Sequence, residues 1–317
     1  MGSGLVPELA RRQVVVVPKA AALANHWLGG AIFTLESGAS SEFAYACTIA
    51  TMPPHGGPAW HVHTREEEFF FIRRGTFEFE GAGADPIRIG PGGLITLPIG
   101  VPHRFANIAD DEGEVVLWTS PGANAQFFLD LSNPLAEPDD ATAPPDLEAM
   151  TAAGREYGIV MLGPDNPASQ TILPLAGDRR PVATQSGEGE TVAVGPGGAT
   201  ARVLAPAAAT GGQCELVELT LPPGSRTPRL QHGRYTLGAV VQAGTVGVRA
   251  DNGGDAPQEL TAETDSLIRV PFGVGYRWAN RTETPAVLLV LTSPGGWVEA
   301  WRSGDPASYG VIVDADD

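Results

Sequence analysis

The sequence predicts an all-β protein: two tandem jelly-roll barrels with a short linker helix. Three observations carry that prediction. Glycine and proline punctuate short β-branched and aromatic runs, a long segment recurs within the chain, and each repeat is cut into strand-length pieces. The 317 residues include 40 Gly and 28 Pro, a punctuation that favours short strands and turns over long helices. With 43% hydrophobic and 18% charged residues, the chain can bury cores for about two domains of ordinary size.

The repeat fixes the organisation. Thr51 to Glu80, TMPPHGGPAWHVHTREEEFFFIRRGTFEFE, lies over Thr220 to Arg249, TLPPGSRTPRLQHGRYTLGAVVQAGTVGVR, at an offset of 169 (220 − 51). Leu94 to Gly122 lies over Leu267 to Gly295 at 173 (267 − 94), pairing LPIGVPHRFAN with VPFGVGYRWAN and TSPG with TSPG. The larger second offset places an insertion in the intervening loop. One fold used twice gives domains at residues 1–150 and 151–317. Asn133 to Pro145, rich in Pro, Asp and Ala, reads as the linker. From Pro145, PDLEAMTAAGREYG has an acidic first turn, good helix formers and a terminal glycine, the marks of one short helix. Within the first repeat, Glu68 to Ile72, Thr76 to Glu80, Leu94 to Leu97 and Glu114 to Thr119 are strand-length and bounded by Gly or Pro, as a jelly roll or sandwich requires.

Charge and cysteine content narrow the function. A formal net charge of −17, with no Lys/Arg cluster, opposes binding to a phosphate backbone or an anionic membrane, so neither nucleic acid nor membrane is expected as a partner. Lys19 is the only lysine, which reflects base composition and not chemistry. Cys47 and Cys214 fall in different repeats and read as free buried thiols in a reducing compartment. Met1 to Arg12 lacks the basic-then-apolar pattern of a signal peptide, and no run of about 18 apolar residues occurs, so a soluble cytoplasmic protein is expected.

The chemistry concentrates in the first repeat. His61 and His63 are two apart, so on a strand both imidazoles project from one face and converge on one point. Glu68, five residues on, returns to that centre after a turn, with Glu66 and Glu67 as competing carboxylates, and His103 from a distant strand completes three His and one carboxylate. Such a set suits one divalent transition metal: Fe, Ni, Co, Mn, Zn or Cu. His26 and His55 fit no ligand spacing and read as ordinary polar residues.

HVHTREEEFFFIRRG resembles the first motif of the cupins: His-X-His, four residues, Glu, six residues, Gly. GLITLPIGVPHRFAN, from Gly93, resembles the second: Pro-X-Gly, two residues, His, three residues, Asn. The resemblance implies a bicupin with metal ligands His61, His63, Glu68 and His103. It selects Glu68 over Glu66 and Glu67, which are left to a solvated edge. Asn107 reads as a brace for a turn. Carried to the second repeat, the four ligand positions hold Leu230, His232, Leu237 and Tyr276, so that site is degenerate and the barrel is structural or dimerising. Alternation along the strand turns Phe70 and Ile72 inward with Glu68, and Phe105 follows His103, so these side chains either line an apolar substrate pocket beside the metal or simply fill the barrel.

The length, the acidic proline-rich connector and PVATQSGEGE before the second repeat resemble the flavonol (quercetin) 2,3-dioxygenases, from whose two-site pattern this chain departs in its second barrel. That resemblance implies ring-opening dioxygenation of a phenolic or enolic aromatic. The substrate enolate would sit on the metal, with Glu68 the catalytic proton acceptor and dioxygen the co-substrate. Two other readings compete: a non-redox isomerase or cyclase of polyketide-like substrates using the metal as Lewis acid, and a small-molecule-binding protein without turnover. Exposed strand edges make a homodimer the expected assembly.

Overall fold

The computed structural model describes residues 12–136, 147–163 and 165–314. Antiparallel strands dominate and form four sheets, seven-stranded and five-stranded in each of two compact units. In the first barrel the large sheet runs Val182–Thr184, Leu94–Leu97, Glu67–Arg74, Gly113–Ser120, Ala46–Met52, Gly30–Glu36, Leu23–Trp27. The small sheet runs Ile159–Met161, His61–His63, His103–Asn107, Phe77–Gly81, Ile87–Ile89. The second barrel repeats both orders. Its large sheet runs from Val15–Val17 through Leu267–Val270, Thr236–Ala243, Ala286–Ser293, Glu215–Leu221 and Thr200–Ala205 to Thr191–Ala193.

The units do not divide at residue 150. One comprises residues 22–188; the other comprises residues 1–21 and 189–317. Strands Ile159–Met161 and Val182–Thr184 pair with His61–His63 and Leu94–Leu97, completing both sheets of the first barrel. Val15–Val17 completes the large sheet of the second by pairing with Leu267–Val270. Each arm satisfies the open edge of a sheet whose other strands lie far away in sequence. A comparison of repeats aligns shared strands only, so it does not register these arms.

The linker helix spans Leu147–Tyr157, with Glu148 in its first turn and Arg155 in its last, and stops at Gly158, whose φ of +79° suits the residue after a helix. Of the expected linker, residues 137–145 lie outside the described residues; its start pairs with the edge of the large sheet, where the Leu135 N–H donates to the Ala24 carbonyl at 2.8 Å. Two more short helices occur, Ala125–Leu131 and Trp297–Arg302.

The core of the first barrel is aromatic. Phe70, Phe79 and Phe105 pack with centroids 4.6 to 5.4 Å apart, and Ile72 and Phe77 are fully buried with them. Gly75 turns the chain between two strands at φ +85°. Gly100, at φ +80°, donates its N–H to the His63 carbonyl at 2.8 Å, tying the segment before His103 to the His61–His63 strand. Cys47 and Cys214 are buried and not joined in a disulfide. Among the described residues, no helix is long and apolar enough to cross a membrane.

Candidate metal centre

Three imidazoles come from the small sheet of the first barrel and one carboxylate from the large sheet facing it. His61 and His63 share a face of their strand, and His103 lies directly opposite His61 on the neighbouring strand, with ring centroids 4.3 Å apart. Glu68 enters from Glu67–Arg74 on the face that also carries Phe70 and Ile72. All four are buried, and one ligand atom from each lies within 4.8 Å of those of the other three.

The rings are already oriented. Nδ1 of His61 lies 2.8 Å from the Ala59 carbonyl, Nδ1 of His103 lies 3.0 Å from the Val101 carbonyl, and Nδ1 of His63 lies 3.4 Å from Glu66 Oε2. With an acceptor at each Nδ1, the proton belongs there and each Nε2 lone pair is left for the centre. His103 Nε2 and Glu68 Oε2 are buried 3.0 Å apart without a hydrogen bond between them. Buried polar atoms of this kind need a partner, and three nitrogens and one oxygen aimed at a common point fit a single divalent transition metal.

Electrostatics favours the same state at His61 and Glu68, while in the metal-free protein it favours a proton on His63. Burial, helped by His103 and His63, holds the His61 imidazole down at about 3, so it stays neutral. Burial also pulls on His63, but the charges of Glu68 and Glu66 outweigh it and raise that ring above its ordinary value. Burial alone would push Glu68 up; His63, His103 and His61 together bring it down to about 2, so it is a carboxylate ion.

Glu66 and Glu67 do not occupy a solvated edge. Both are fully buried. Glu66, three residues after His63, reaches back to that ring, and Glu67 accepts from Arg179 and, at 3.4 Å, from the Ile99 N–H. Burial keeps the Glu67 carboxyl above its usual range even against the pull of Arg179. A run of three glutamates looks like a charged surface, and the i, i+3 spacing from His63 was the one signal of Glu66's role. Asn107 braces the turn as its position suggests, donating to the Asp111 carbonyl at 2.8 Å and accepting from the Ala109 N–H at 3.1 Å. His55 is exposed near Asp110, away from the centre.

A cavity opens against His61, His63 and Glu68. Phe70 and Phe105 line it, together with Trp27, Phe127, Phe128 and Met150. Ile72 is not on its wall; it packs deeper, in the core beneath. The helices Ala125–Leu131 and Leu147–Tyr157 supply Phe127, Phe128 and Met150, which short-range patterns in the sequence did not mark.

The corresponding point in the second barrel is filled. Tyr276 lies opposite Leu230, and its hydroxyl is 2.7 Å from His232 Nε2, the atom a metal would need. Leu230, Leu237 and Tyr276 belong to one continuous buried cluster, and burial lowers His232 to about 3.

Residues 48–119 match the cupin domain model. Over 102 residues the chain is 33% identical to the polyketide synthase protein CurC of Streptomyces cyaneus; the match covers 31% of this chain and 63% of that relative's length. Among solved structures, the oxalate decarboxylase of Bacillus subtilis at pH 4.6 superposes with a TM-score of 0.62 at 14% identity, covering 99% of this chain and 89% of that one. The Lactobacillus farciminis oxalate decarboxylase–formate complex gives 0.61 at 14%, covering 94% and 88%. The likeness to these structures is one of fold. The cupin match is confined to residues 48–119, the solved structures share the two-barrel fold, and the first barrel holds a buried His-His-Glu-His cluster suited to one metal ion.

Proposed function

We propose that the first barrel is a metal-dependent dioxygenase that opens the ring of a flat phenolic or enolic aromatic molecule, with His61, His63, Glu68 and His103 as the ligands and dioxygen as co-substrate. The observation that carries this reading is the wall of the cavity. Apart from His61, His63 and Glu68, its described lining is aliphatic, aromatic or thioether, with no Lys or Arg. A small dicarboxylate such as oxalate would find no cation on that wall for its outer carboxylate, an expensive omission in a buried site. A flat apolar molecule with one acidic hydroxyl suits it.

When bound, the metal supplies an electrophilic anchor for the substrate oxygen and, if redox-capable, electron exchange with dioxygen. The protein does the rest. His61, His63 and His103 hold the site as neutral imidazoles. Glu68, on the cavity wall, is the carboxylate placed to take the proton of the substrate hydroxyl, leaving the enolate that reacts. Phe70, Phe105 and Phe128 flank the ring and exclude water.

A second reading draws on the likeness to CurC: a non-redox isomerase or cyclase of polyketide-like substrates at the same site. Oxygen uptake separates the two. Protein loaded with iron, nickel, cobalt, manganese or zinc is assayed by electrode against quercetin and simpler enolic aromatics. The dioxygenase reading predicts uptake with at least one redox-capable metal and loss of it in Glu68→Ala. Full occupancy with no uptake for any metal contradicts it and favours the cyclase, which works without oxygen and with zinc.

A further inference from the structure

In the large sheet of the first barrel, the strands Leu23–Trp27 and Gly30–Glu36 are joined by two residues, Leu28 and Gly29, with φ of +48° and +78°. A two-residue hairpin loop with both central φ positive calls for Asn-Gly or Gly-Gly. A Cβ is strained in the left-handed region, and asparagine tolerates it better than other residues with a side chain. Leucine is a poor choice for this turn. The corresponding hairpin of the second barrel, between Thr191–Ala193 and Thr200–Ala205, has positive φ only at Gly195 and Gly198. Among the described residues, five that are not glycine have positive φ, and Leu28 is the one of them on the cavity wall.

Strain retained at one residue points to what its side chain does. The cavity lining divides by burial. Trp27, Leu28, Pro58, Phe128 and Met161 are half-buried and form its rim; all the other lining residues are buried and form its floor, around His61, His63 and Glu68. Gly29, the next residue in the turn, is exposed. The hairpin is fixed from behind. The Ala31 N–H donates to Thr51 Oγ1 at 3.0 Å, and a Cβ at Gly30 would come within 2.1 Å of the Thr51 carbonyl oxygen, so the turn lies close against the neighbouring strand. Trp27, just before the turn, packs edge-on against Phe128 at 5.1 Å. Leu28 is thereby held at the mouth of the cavity.

We propose that Leu28 is a specificity-determining residue, kept in a strained turn so that its side chain covers the outer rings of a flat polycyclic substrate whose inner ring reaches the metal centre. This rests on reading the cavity as the substrate site, but not on the reaction that follows there. A molecule of one ring sits on the buried floor; one of two or three rings extends to the rim and gains the apolar contact that Leu28 offers. The stability of an Asn-Gly turn is forgone for that contact.

The test is calorimetric titration of the whole zinc-loaded protein with quercetin and with catechol under nitrogen, alongside melting temperatures of the ligand-free proteins. Leu28→Asn gives the turn its preferred residue at similar size. It should weaken quercetin binding by about fivefold or more and catechol binding by less than about twofold, with a melting temperature no lower than that of the parent. Leu28→Met, which keeps an apolar side chain at the rim, should bind quercetin within about twofold of the parent. Unchanged quercetin binding in Leu28→Asn, equal loss for the two ligands, a melting temperature that falls together with affinity, or no quercetin binding by the parent would overturn the proposal. The expected affinities without oxygen uptake for any metal would overturn the dioxygenase reading alone.

Discussion

Glu66 sets the orientation of His63 without reaching the metal position itself, since its Oε2 lies against Nδ1 on the far side of the ring. Glu66→Gln keeps the shape but loses the charge that holds the Nδ1 proton. Metal affinity should fall by about 10- to 100-fold with the circular dichroism spectrum unchanged; unchanged affinity would remove Glu66 from the site. His63 also makes a prediction in pH. Its pKa in the metal-free protein is raised, so its stabilising contribution is complete below the ordinary value of 6.5 and is lost as pH rises through the folded value. Glu68 is depressed, so its contribution is present above 4.5 and is lost as pH falls toward about 2. Metal-free protein should therefore lose melting temperature as pH is raised above 6.5 and through the folded value of His63. Metal-loaded protein should not, because the ion then compensates the carboxylates in place of the proton on His63. Parallel curves for the two forms would contradict this. The clustering of His61, His63, Glu68 and His103 was legible because spacing on a strand fixes direction. Glu66 and Glu67 were not, because their burial depends on partners outside the local pattern, Arg179 being 112 residues away.

The strands of the barrel were likewise legible: Leu94–Leu97 falls where its apolar run ends at Pro98, and Glu67–Arg74 extends the expected segment by a residue or two at each end. Ala125–Leu131 was hidden, since seven residues hold too few turns for a helical period to stand out. Yet that helix brings Phe127 and Phe128 to the cavity, where both pack edge-on against Trp27 at 5.7 and 5.1 Å. Phe128 is only partly buried, so part of its ring is open to a molecule in the cavity. Phe128→Ala should raise KM for an aromatic substrate several-fold while changing kcat less. Phe70→Ala, by contrast, empties a buried position and should cost about 3–5 kcal/mol of stability. A KM unaltered in Phe128→Ala would mean that substrate does not reach this wall.

Across the whole molecule, duplication has kept one topology and altered it in two places. Inside the second barrel, Tyr276 satisfies His232 and leucines stand at two of the four positions, so a packed core occupies the place where the first barrel gathers its His-His-Glu-His cluster. In its large sheet, glycines take the positive-φ positions of the hairpin that corresponds to Leu28 and Gly29. The repeat made the duplication and the lost ligands readable. The exchange of edge strands was not, because Val15–Val17 and Val182–Thr184 are too short to carry a pattern and owe their place to the edges they cover.

Metal stoichiometry by mass spectrometry on purified parent and variant proteins tests the assignment of a single site most directly. One ion per chain is expected in the parent and in His232→Ala, with occupancy lost in Glu68→Ala and His103→Ala. Two ions per chain, or occupancy retained in both first-barrel variants, would contradict it.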